Sequence, residues 1–201
     1  MLSVYDLKPR FQALLRPLVA YLARSGVTPN QVTVFAAVLS AVSGLCIVRW
    51  SEQAWPLLLM PAVLFVRMAL NAVDGMLARE FNMQSPLGAI LNEMGDVLSD
   101  VALYLPFAFI PGLSVAGVVM VVILGVVSEM AGVVALQVGS ARRYDGPMGK
   151  SDRAVVFGGL GLLLGAGVAG GLWVNVVLWC VVGMTGLTIV NRCRHGLAAP
   201  S

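Results

Sequence analysis

The sequence predicts an all-α integral membrane protein, with six transmembrane helices preceded by an N-terminal amphipathic surface helix. Three observations carry that expectation. Of the 201 residues, 59% are hydrophobic and 11% charged, with a mean hydropathy of +0.89, whereas a soluble globular domain carries about 25% charged residues. Several apolar runs approach the ~20 residues a spanning helix needs, and short polar or Gly/Pro-containing breaks separate them. The basic residues segregate. Lys8, Arg10, Arg16, Arg24, Arg79, Arg142, Arg143, Lys150, Arg153, Arg192 and Arg194 all fall on the side that six spans make cytoplasmic, leaving only Arg49 opposite and Arg67 within a span. The chain reads as one membrane-embedded domain over residues 1–201, with both termini cytoplasmic. The net charge of +3 acts through this distribution and points to membrane lipids, not to nucleic acid.

Residues 2–24 place Phe11, Leu14, Leu15, Leu18 and Leu22 at helical spacing, with basic residues between them. This predicts an amphipathic helix on the membrane surface, drawn to anionic headgroups. The same pattern also suits a helix packed on the rest of the protein. The N-terminus lacks the short apolar core and small-residue cleavage site of a removable signal. Gly26 to Asn30 breaks the chain, Thr28 or Asn30 can cap the next helix, and the first span runs from Gln31 to about Val48. Trp50 and Trp55 flank a loop at interface depth. The second span covers roughly Leu57 to Ala78 and the third Leu87 to Ile110. After the Pro111-Gly112 turn, the fourth covers Val115 to Val138. Residues 142–153 read as a basic loop. The fifth span is Ala154 to Ala169, and the sixth follows the Gly170-Gly171 turn from Leu172 to Val190. Gly161, Gly165 and Ala169 make a small-residue stripe for close helix contact, internal or dimeric. Cys46, Cys180 and Cys193 have no paired or metal spacing and read as packing residues or free thiols. His195 has no partner at useful spacing and reads as an interface residue.

One stretch, residues 71–100, is studded with polar groups. Asn71, Asp74, Gly75 and Ala78 share one helical face. Gly88, Asn92, Asp96 and Asp100 share a face of a second helix, and Ser85-Pro86 turns the chain between them. The stretch therefore predicts a helical hairpin with two facing oxygen-bearing stripes. Such oxygens suit a hard cation such as Mg²⁺. Carboxylates are expensive in lipid, so a cluster of them points to function; a packing hairpin with incidental polar groups is the plainer reading. Attack of an alcohol on a diphosphate ester needs that charge neutralised, the reactants held in line and the hydroxyl proton removed. Metals held by Asp74 and Asp96 suit the first task, a carboxylate with a free oxygen the last, and Arg79 offers a fixed cation to phosphate.

These residues resemble the CDP-alcohol phosphotransferase (CDP-alcohol phosphatidyltransferase) signature, D-x-x-D-G-x-x-A-R followed by G-x-x-x-D-x-x-x-D. Here it reads Asn71, Asp74, Gly75, Ala78, Arg79, then Gly88, Asn92 and Asp96. The spacing is intact, with asparagine at the first and third acidic positions. The resemblance implies transfer of a phosphatidyl group from a CDP-alcohol, often CDP-diacylglycerol, to an acceptor alcohol with release of CMP. It implies metal-ligand positions at Asn71, Asp74, Asn92 and Asp96 for Mg²⁺ or Mn²⁺, with Asp96 also the catalytic base. It places Asn30, Thr33, Gly75, Ala78, Arg79 and Ser85 against the CDP-linked lipid. It places Lys150 and Arg153, helped by Arg142 and Arg143, around a small alcohol or polyol phosphate acceptor, and its members suggest a homodimer. Glu93 and Asp100 are the nearest further carboxylates. Two other readings stay open: a pseudoenzyme that binds a CDP-lipid or a partner, and a small transporter built on Arg67 and Glu129.

Overall fold

The computed structural model describes residues 4–198, with side chains from Arg10 onward. The start of the expected surface helix at residue 2 and the side chain of Lys8 lie outside that range. Seven α-helices follow one another, and there is no strand among the described residues: α1 Val4–Arg24, α2 Pro29–Arg49, α3 Ala54–Glu80, α4 Pro86–Tyr104, α5 Val115–Val134, α6 Lys150–Gly165 and α7 Leu172–Ala198. Short 3₁₀ turns extend α4 over Leu105–Phe109 and α5 over Ala135–Val138. Helices α2, α3, α5 with its 3₁₀ extension, and α7 are long and apolar enough to cross a membrane. Their outer surfaces carry large exposed apolar side chains such as Phe35, Leu45, Phe65, Ile123 and Trp179, as lipid contact requires.

Local chemistry explains the helix ends. Thr28 and Gln31 form a reciprocal capping box at the start of α2. The Ser85 hydroxyl accepts the Gly88 amide at 3.0 Å and Pro86 supplies the first helical residue of α4. Pro106 lacks an N–H and converts the end of α4 to 3₁₀, earlier than the hydrophobic run suggested. Asp152 accepts the Gly149 amide at 2.8 Å, which starts α6 at Lys150 inside the expected basic loop. That correction turns Arg153 into a helix residue.

The core lies where α3, α4, α5, α6 and α7 meet. Met60, Leu103, Tyr104, Phe107, Phe157 and Leu178 are buried there, and Tyr104 stacks on Phe157 at 4.2 Å. Pro61 leaves the Leu57 carbonyl without a helical donor, and α6 approaches that point through Gly161, where a Cβ would come within 3.0 Å of the Leu57 oxygen. Gly165 meets Leu58 and Ala54 as closely. The glycine stripe is thus a contact between α6 and α3, and Ala169 falls beyond the helix, exposed. Helix α1 packs Val19, Leu15 and Leu22 against α2 and α3, while Leu14 and Tyr21 remain outward. Arg16 anchors it to Glu80 at 3.1 Å. The three cysteines are free thiols.

Candidate active site

At one end of the bundle, the N-termini of α2 and α4 and the C-terminal half of α3 enclose a polar cleft of about 600 Å³. Its walls carry Asn30 and Thr33 from α2, Asn71, Asp74, Gly75, Ala78 and Arg79 from α3, and Ser85, Gly88 and Asn92 from the α3–α4 turn and α4. Every residue expected against the CDP-linked donor therefore lines one cavity. Met83 and Gln84 line it too, and no motif spacing singled them out. Gly75 has a definite use: a Cβ there would stand 2.9 Å from the Arg79 guanidinium, which folds back over it. At Gly88 a Cβ would press on the Asn30 amide oxygen at 2.8 Å.

Asp74 is 4% exposed. The Thr33 hydroxyl donates to its Oδ2 at 2.8 Å, and it forms no ion pair among the described residues. Asp96 lies one turn beyond Asn92 and off the cleft wall. Its Oδ1 accepts the Asn71 amide at 2.9 Å and the Lys150 ammonium at 2.5 Å. Arg67 stands 3.7 Å from the same oxygen and donates to the Asp96 carbonyl at 3.0 Å.

The four basic residues expected around an acceptor are not gathered into one pocket. Lys150 alone reaches the motif carboxylates. Arg153 is 1% exposed and is held by Glu129 at 3.2 Å, Asp100 at 3.5 Å and the Ser128 hydroxyl at 3.2 Å. Arg142 pairs with Glu93 and with Glu129 at 3.6 Å, and Arg143 donates to the His195 carbonyl at 2.5 Å. Burial explains the difference: once α6 starts at Lys150, residue 153 faces the bundle interior. Asp100 and Glu93, the nearest spare carboxylates in the sequence, are likewise engaged by arginines. Arg67 pairs with Asp100 at 2.6 Å and not with Glu129. Glu129 instead receives Arg142, Arg153 and Arg192. At the loop edge, partial burial pushes the Asp145 carboxyl up, but the His195 hydrogen bond, with help from Arg143, outweighs it and holds the group below its usual range.

The family model for CDP-alcohol phosphatidyltransferase matches residues 26–188, the span that builds both cleft and bundle. The chain belongs to the CDP-alcohol phosphatidyltransferase family. It is an integral membrane enzyme of that phosphatidyltransferase class. It is 46% identical over 197 residues to the inner membrane protein YnbA of Escherichia coli (strain K12), covering 98% of this chain and 97% of that one. An uncharacterized protein of Aquifex aeolicus (strain VF5) is 33% identical over 101 residues, covering 50% of this chain and 47% of that one. The fold resembles that of Mycobacterium tuberculosis phosphatidylinositol phosphate synthase (PgsA1). With its CDP-DAG-bound crystal structure the TM-score is 0.77 at 20% identity, covering 92% of this chain and 94% of that one. With its manganese and citrate complex the TM-score is 0.76 at 21% identity, covering 92% and 90%.

The residues present suit a hard divalent cation. Asp74 is a buried carboxylate without a cationic side chain, set beside the amide groups of Asn71 and Asn92 in a cleft wide enough for phosphate. Mg²⁺ commonly uses one or two carboxylates and completes its shell with water and substrate phosphate. No group of three or more His, Cys, Asp or Glu side chains is poised for a metal among the described residues.

Proposed function

We propose that this chain transfers a phosphatidyl group from CDP-diacylglycerol to a small alcohol or polyol phosphate, releasing CMP at the cytoplasmic face of a bacterial inner membrane. One observation carries the reading: Asn30, Thr33, Asp74, Gly75, Arg79 and Ser85 line a single polar cleft at the basic end of the bundle. Asn30 and Thr33 would meet the cytidine end, and Gly75 would let the nucleotide lie close to α3. Arg79 meets the diphosphate with a charge-assisted contact. The acceptor hydroxyl attacks phosphorus, the bond to the CMP oxygen breaks, and the proton passes to Asp96 as general base. A divalent cation, Mg²⁺ or Mn²⁺, would be held by Asp74 with amide oxygen from Asn71 or Asn92. It would supply charge neutralisation on the diphosphate. Lys150, beside Asp96, favours an anionic acceptor such as a polyol phosphate.

The assignment of six spans counts α4 and α6 with the four longest apolar helices. Both termini are then cytoplasmic, within a single domain of residues 1–201 that pairs as a homodimer. The test is CMP release by purified protein from CDP-diacylglycerol with Mg²⁺ or Mn²⁺, across free polyols, polyol phosphates and lipid alcohols. The expected result is metal-dependent release with a phosphorylated polyol. Release only with uncharged acceptors would overturn the role given to Lys150. No release with any acceptor, while CDP-diacylglycerol still binds, would replace the transferase reading of this donor with that of a binding protein.

A further inference from the structure

The two motif carboxylates keep opposite electrostatic company. A carboxylate removed from water needs a compensating charge or dense hydrogen bonding. Asp96 has both: the Lys150 ammonium at 2.5 Å, the Asn71 amide donor at 2.9 Å and the Arg67 guanidinium at 3.7 Å all address its Oδ1. Asp74 is the more deeply buried of the two, has only the Thr33 hydroxyl as a side-chain donor among the described residues, and faces the cleft.

We propose that the site takes one divalent cation per chain, on Asp74, and that Lys150 is the built-in cation of Asp96. The inference deepens the divalent-cation reading above and rests on it. A metal ion at Asp96 Oδ1 would stand within about 4 Å of an ammonium and near a guanidinium, where like charges repel. Asn71 presents its N–H to that oxygen, so its amide acts there as a donor to the carboxylate. The neutral amide at Asn92 brings no further charge to hold a second ion. Lys150 thereby places beside Asp96 the positive charge that a metal would otherwise bring.

The experiment titrates Mn²⁺ alone into the full chain in detergent micelles and counts free Mn²⁺ by its electron paramagnetic resonance signal, after circular dichroism has shown each variant to be helical. The wild-type protein is expected to saturate at one Mn²⁺ per chain, a measurement that needs no variant. Asp74→Asn should abolish that binding. Asp96→Asn should retain one equivalent with affinity within about tenfold of wild type. Two equivalents in the wild-type protein, or loss in Asp96→Asn as complete as in Asp74→Asn, overturns the proposal and leaves the divalent-cation reading standing. No Mn²⁺ bound by the wild-type protein overturns both.

Discussion

Asp74 and Asp96 stand 22 positions apart in the chain, yet Asn71 touches the surroundings of both, lining the cleft with Asp74 and donating to Asp96. The base role proposed for Asp96 needs a defined direction as well as basicity, and the Lys150 and Asn71 contacts fix the direction of its carboxylate. Asp96→Asn is expected to lower transfer by about 10²–10⁴-fold, the usual worth of a positioned general base, while CDP-diacylglycerol binding persists. CMP release alongside a lipid-binding assay checks this, and an undiminished rate would remove Asp96 from the chemistry. Arg79→Lys should weaken donor binding, because an ammonium cannot reproduce the planar fork that guanidinium offers to phosphate. At this scale the motif spacing already named most of the cleft. It said nothing of Met83 and Gln84, which enter through the turn after α3, where Asn82 adopts a φ of 53°.

The hairpin of α3 and α4 works because both helices have firm ends. Ser85 caps α4 at the rim of the cleft, so Ser85→Ala should cost about 1 kcal/mol of stability in addition to any loss of donor affinity. Thermal unfolding in the absence of substrate separates the two effects. Helix α6 is a second determinant. It packs on the first half of α3 at Gly161 and Gly165, and its first residue, Lys150, reaches Asp96 of the hairpin. Gly161→Leu should destabilise the fold by at least about 1–3 kcal/mol, because the added side chain meets the Leu57 carbonyl and Met60. An unchanged unfolding temperature would mean that α6 packs elsewhere. The helical spacing of these glycines was legible in the sequence, and the choice between an internal and a dimeric contact was not. Only the position of Pro61 and its freed carbonyl on the facing helix decides it.

Across the whole molecule, Glu129 joins α5 to α6 through Arg153, to α7 through Arg192 and to the loop before α6 through Arg142. Arg153 continues the chain of charges to Asp100 and Arg67. Glu129→Gln leaves Arg192 without a carboxylate among the described residues and Arg142 and Arg153 with one fewer, and should destabilise by about 3–5 kcal/mol, as removal of one partner from a buried pair does; unfolding monitored in detergent measures it. Orientation has its own check. Cys193 is exposed near the end of α7, whereas Cys180 is exposed along the span. A membrane-impermeant maleimide should label Cys193 only from the cytoplasmic side and leave Cys180 untouched in lipid. By itself the sequence determined the all-helical membrane class, the hairpin and most of the cleft's polar residues, because hydropathy, helical period and motif spacing are local properties of the chain. The tertiary structure alone decided the company of each charge. It paired Arg67 with Asp100, buried Arg153 against Glu129 and Asp100, and set Lys150 on Asp96. Those pairings bring together residues 24 to 54 positions apart, and no pattern along a chain records which buried charges will meet once the helices pack.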